Sequence, residues 1–128
     1  MSNKIKSFTD LISWQEAHQF VLDVYKETQN FPKEELYSLT NQLRRSVVSV
    51  TSNIAEGFAR QSAKDKRNFY SMSLGSLAEV QNQLLIARDL QYLKKETFLV
   101  LANKSIETRK LVCGLVKSAQ SRKADTEY

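Results

Sequence analysis

Two glutamates, Glu56 and Glu79, lie on neighbouring segments of this 128-residue chain and could in principle form an acid/base pair. Arg60 follows Glu56 at the four-residue spacing of an ordinary helical ion pair, which is the simpler reading. The single histidine, His18, has no partner at ligand spacing and falls on an apolar stripe with Trp14, Leu22 and Tyr25. It reads as a hydrogen-bonded core or boundary residue rather than a metal ligand. Cys113, the only cysteine, stands beside Val112 and Leu115 as a small buried hydrophobe. It excludes an internal disulfide and suits a reducing compartment. The glycines, Gly57, Gly75 and Gly114, are dispersed singly, so no phosphate-cradling loop is present. One histidine cannot supply the two Glu-x-x-His motifs of a di-metal bundle. The expectation is a protein without catalysis, cofactor or metal.

Positive charge is the feature with direction. Nineteen Lys and Arg against fourteen Asp and Glu give a formal charge of +5, which favours anionic partners. Arg60, Lys64, Lys66 and Arg67 cluster around one connection, opposed by Asp65 alone. Arg44 and Arg45 lie earlier, Arg109, Lys110 and Lys117 later, and Arg122 and Lys123 in the tail. These residues are candidates for contacts to RNA or DNA phosphates. Phe58, Phe69 and Tyr70 could stack on bases, although their stripe positions favour core packing. No helix-turn-helix, RRM or KH signature points to sequence-specific readout.

The elements that must carry these residues follow from apolar spacing. Residues 10–29 repeat at three and four positions through Leu11, Trp14, His18, Val21, Tyr25 and Thr28, with Ala17, Leu22 and Val24 widening the stripe, Asp10 or Thr9 as cap and Pro32 as terminator. A second helix over 37–60 follows the stripe of Leu36, Leu39, Leu43, Val47, Val50, Ile54 and Phe58. Ser62 and Asp65 resemble a capping box that starts a third over 63–91, striped by Tyr70, Ser73, Leu77, Val80, Leu84, Ala87 and Gln91. Phe98, Leu101, Ser105, Thr108, Val112, Leu115 and Ala119 mark a fourth over 95–119, followed by a polar tail, 120–128, expected to fray. Four helices on short connectors predict a single all-α domain, an antiparallel up-down-up-down four-helix bundle. The alternative is a three-helix core with the last helix docked on another subunit. No segment is apolar enough to span a bilayer or resembles a leader, so the cytoplasm is the expected location.

Helix 2 is apolar on more than one side. Val48, Ala55 and Ala59 form a strip beside the core stripe, and Gly57 lies at the edge, which predicts burial against a second copy of the chain.

Several strings occur together: "W-x-x-A", "FP-x-EE-x-Y-x-L-x-x-QLRR", "SNIAEGF" and "GSLAE…LLIARDL-x-YL". Over roughly residues 8–118 the chain resembles the bacterial four-helix-bundle proteins encoded in intervening sequences of 23S rRNA genes, relatives of the accessory variability proteins of diversity-generating retroelements. The resemblance implies a homopentamer with a basic surface suited to RNA or DNA and no enzymatic activity. The retroelement relatives imply an alternative, an accessory protein that binds a reverse transcriptase and its template RNA. Where the family often carries proline before "SNIAEG", this chain has Thr51, which leaves a kink in helix 2 open.

Overall fold

The computed structural model describes residues 4–125, with side chains described through residue 120. Four helices carry the fold: α1 (Ile12–Thr28), α2 (Leu39–Ala59), α3 (Ala63–Asp89) and α4 (Lys95–Asp125). Cross-helix pairs set their directions. Val50 O accepts from Ser73 Oγ at 2.8 Å and Ser49 meets Ser76 at 2.8 Å, while Gly57 lies against Tyr70, so α2 positions fall as α3 positions rise. Gln81 donates to Ser105 at 3.1 Å, and Leu84 and Leu85 share a pocket with Phe98 and Ala102, giving the same antiparallel relation between α3 and α4. Asp23 pairs with Lys104, while Glu16 lines a groove with Thr108 and Glu27 one with Glu96, so α1 opposes α4 and therefore α2.

The core is the set of side chains these pairings enclose: Ala17, Phe20 and Val24; Leu43, Val47, Val50 and Ile54; Leu77, Val80 and Leu84; Leu101 and Val112. Of the stripe expected for α3 all but Gln91 is buried, and of that expected for α4 all but Phe98 and Leu115, which are half-buried. The α1 stripe is split: Val21 and Thr28, with Ala17 and Val24 beside them, are buried as expected, and the remainder is not. His18 is exposed, stacked on Trp14 at 4.6 Å, Leu22 and Tyr25 are also exposed, and the buried line runs through Ala17, Phe20, Val21 and Val24. Two apolar stripes compete on this helix, and the inner one contains Phe20, the largest fully buried side chain.

Helix ends account for the remaining differences. Ser7 and Asp10 cap a short 3-10 turn, Phe8–Asp10, ahead of α1, which begins at Ile12. The Asp10 carboxylate accepts from the backbone N–H groups of Lys6 and Ser7 at 3.0 Å each, which holds its pKa below the usual carboxylate value. After Pro32 a second 3-10 turn, Lys33–Glu35, delays α2 to Leu39 and leaves Tyr37 exposed. Glu35 ties this turn down by accepting from Leu39 N at 3.3 Å and from Tyr92 Oη at 2.8 Å. The α2 helix runs unbroken through Thr51, whose hydroxyl donates to Val48 O at 2.9 Å. Ser62 caps α3 as expected, accepting from Asp65 N at 3.1 Å.

The α3 helix stops at Asp89 rather than 91 because Gln91 is left-handed, φ 64°. Tyr92 N donates to Ala87 O at 2.9 Å and Gln91 N to Arg88 O at 3.0 Å, the paired bonds of a Schellman end. Glycine is the residue suited to that position, so Gln91→Gly is expected to stabilise the chain by about 1 kcal/mol, read as a rise in the urea midpoint. The α4 helix continues to Asp125, beyond the expected 119, because "QSRKAD" contains good helix formers and no breaker.

Candidate nucleic-acid interface

Antiparallel packing brings the end of α2, the start of α3 and the end of α4 to one pole of the bundle. A cavity of about 110 Å³ at this pole is lined by Ile5, Leu11, Phe58, Lys66, Tyr70, Leu115, Ser118 and Ala119. Arg60, Lys64, Lys66, Arg67 and Lys117 therefore share a pole, as the sequence clustering suggests for the first four. Lys4 and Lys6 join them because Ile5 between them reaches the cavity. Sequence reading misses these two, although the K-x-K in "NKIKS" is a visible signal.

The cations at this pole are not equivalent. Lys66 Nζ donates to Phe58 O at 2.8 Å and Gly57 O at 3.3 Å, neutralising the carbonyl end of α2. Its role is to fasten α2 to α3. Arg60 pairs with Glu56 at 2.9 Å, as the helical spacing requires, and its guanidinium lies 4.5 Å over the Phe69 ring. Arg67 is half-buried, with Nε unpartnered among the described residues. Lys64 and Lys117 are exposed. The nearby aromatic rings serve packing: Tyr70 is core, Phe58 lies half-buried in the cavity wall and Phe69 half-buried beneath Arg60.

Other candidates lie elsewhere. Arg44 belongs to the opposite half of α2, about 24 Å along the axis from Arg60 at the helical rise. It is half-buried and structural: Nε donates to Thr28 Oγ1 at 2.9 Å and the guanidinium sits 4.8 Å over Tyr25. Arg45 is exposed in a separate groove between α2 and α3. Arg109 and Lys110 are exposed on the middle of α4, with Lys110 3.7 Å from Glu107. The backbone of Arg122 and Lys123 continues α4, but their side chains lie outside the described residues. Glu56 and Glu79 fall at opposite halves of the α2–α3 pair, which removes them as an acid/base couple.

Three of the expected interface residues do form an outer strip, with Val48 38% exposed, Ala59 exposed and Ala55 half-buried. Tyr25 against Arg44 and Leu11 beside Phe58 fix the α1–α2 register. That register puts Leu22 at about the level of Val48 and Trp14 at about the level of Ala55 along the paired helices. Gly57, expected with them, instead faces α3 of its own chain: a Cβ there would lie 2.5 Å from Tyr70 Cε1. It is a close-packing position within the bundle. Among the described residues no cluster of His, Cys, Asp and Glu could hold a metal ion, and no helix is long and apolar enough to cross a membrane.

A family model described as 23S rRNA-intervening sequence protein matches residues 9–114. Among solved structures, a protein of unknown function from the S23 ribosomal protein family of Bacteroides thetaiotaomicron is similar in fold. The TM-score is 0.74 at 24% sequence identity, over 83% of this chain and 99% of that one. A comparison with curated proteins finds no match.

Proposed function

The chain belongs to the family of 23S rRNA-intervening sequence proteins, and on that premise we propose that it is a non-catalytic, oligomeric nucleic-acid-binding protein directed at RNA. The observation that carries the reading is the convergence of cations from three segments, the N-terminal arm, the α2–α3 connection and the end of α4, on one pole. Phosphate contacts by Lys64, Lys117 and Arg60 would hold RNA without reading its sequence. The apolar strip of Val48, Ala55 and Ala59 supports assembly of copies side by side, a homopentamer being the form the family resemblance implies. Assembly would repeat the basic pole around the oligomer and raise avidity with no change in the individual phosphate contacts.

The test is binding to a structured RNA and a matched DNA duplex across a salt series, with oligomer mass measured on the same sample. The triple variant Arg60→Gln, Lys64→Glu, Lys117→Glu is expected to reduce the salt slope by about three, one for each phosphate that the variant no longer neutralises. Lys95→Glu at the other pole should leave the slope unchanged. An unaltered slope in the triple variant, or an oligomer that binds neither nucleic acid at moderate salt, would overturn the reading.

A further inference from the structure

Two of the strings singled out from the sequence, "QLRR" and "GSLAE", contain polar residues that core packing does not use. Leu43 and Leu77 in these strings are buried, 1% exposed each, while Gln42, Arg45 and Glu79 point away from the core. The structure brings the polar members together. Gln42, Arg45, Ser46, Ser49, Ser76, Glu79 and Gln83 line one groove of about 300 Å³ between α2 and α3.

The Ser49–Ser76 contact at 2.8 Å sets the register of this groove. Arg45 is one turn before Ser49 and Glu79 one turn after Ser76. Because the helices are antiparallel, the two charges stand on opposing walls at the same level. Gln42 and Gln83 face each other one turn further on. Arg45 and Glu79 are exposed, and the ion pairs of the described residues include neither. Gln83 is 8% exposed, and its Oε1 has no hydrogen-bond partner among the described residues. A buried amide oxygen without a donor is costly, and a ligand N–H is one way to satisfy it after rotation of the amide.

We propose that this groove binds a single unstacked guanine. A cation and a carboxylate on opposing walls call for a ligand with two acceptors on one edge and two donors on the adjoining one. Guanine presents O6 and N7 together as acceptors, the pair a guanidinium grips with two bonds, and N1–H and N2–H₂ together as donors. Adenine, cytosine and uracil each mix donors and acceptors along the corresponding edges. Arg45 donates to O6 and N7, the Glu79 carboxylate accepts from N1–H and N2–H, and the Gln83 amide oxygen takes the second N2 hydrogen. Such edge readout is how proteins read single-stranded RNA, whose bases can be splayed out of the stack. The inference rests on the RNA-binding reading but locates base recognition away from the basic pole.

The experiment titrates the full-length protein with GMP, AMP, CMP and UMP by calorimetry, and with single-stranded oligonucleotides of adenine and uracil carrying either one guanine or none. GMP is expected to bind at least tenfold more tightly than AMP, the discrimination of a good bidentate pair. Glu79→Gln and Arg45→Ala, both exposed and checked for unchanged helicity, should each abolish that preference. Lys64→Glu should weaken oligonucleotide binding and keep it. If GMP competes with the guanine oligonucleotide, the source is RNA. If GMP saturates without such competition, the source is the free nucleotide, and the guanine site stands in both cases. Steep salt-dependent RNA binding with equal affinity for the four nucleotides, or with none detectable at millimolar concentration, would overturn the guanine site and leave the phosphate-binding pole intact. A GMP preference without salt-dependent RNA binding would do the reverse.

Discussion

Gly57→Leu is expected to destabilise the chain by more than about 3 kcal/mol, and Gly57→Ala by about 1–2 kcal/mol, although alanine and leucine are both better helix formers than glycine. A Cβ at residue 57 would lie 2.5 Å and 2.8 Å from the Tyr70 ring and 3.2 Å from Phe69 Cβ. Tyr70 is 4% exposed and cannot swing away, so α2 and α3 must part where Lys66 also fastens them. The helix-propensity gain, about 1 kcal/mol, offsets only part of that strain in the alanine variant. Gly75 supplies the matched control. A Cβ there meets nothing within 4 Å, so Gly75→Ala should stabilise by about 0.5–1 kcal/mol. Urea denaturation of the three variants checks the prediction, and an alanine at 57 that behaves like an alanine at 75 would refute the close approach.

Leu77→Ala should cost about 2–5 kcal/mol. The side chain is 1% exposed in the centre of α3, within the cluster that includes Val47, Val50 and Val80. Truncation removes transfer free energy and leaves a hole that rigid helices fill poorly. For a domain of this size that is a large fraction of the total stability. Val48→Ala, at a position 38% exposed, should change the stability of a single chain by less than about 0.5 kcal/mol. Thermal and urea midpoints of the pair, recorded at low protein concentration, distinguish interior from surface.

The sequence makes α3 and α4 readable because each carries one dominant apolar stripe. In α1 two stripes overlap: Ala17, Val21 and Val24 are legible and buried, Leu22 and Tyr25 are legible on the same broad face but exposed, and the isolated Phe20, the largest fully buried side chain, is missed. The start of α2 is obscured by the turn after Pro32, which Glu35 stabilises through Tyr92, 57 residues away. The basic cluster of Arg60, Lys64, Lys66 and Arg67 is legible from proximity along the chain. Its division of labour is not, because Lys66 is occupied by carbonyls of the preceding helix and Arg44 by a threonine on another. Gly57 shows the same limit: spacing marks a small residue on a helix, and only packing shows that its neighbour is Tyr70.

The stacked pair on the outer stripe of α1 gives the protein an optical property of its own. Trp14 is the only tryptophan in the chain, half-buried, with the His18 ring 4.6 Å away and Phe8 edge-on at 5.4 Å. All indole emission therefore originates at one spot on α1, away from the groove between α2 and α3. A blue shift on concentrating the unlabelled protein would report that the outer face of α1 had lost water to a second copy, while a ligand at the groove would leave the spectrum where it was.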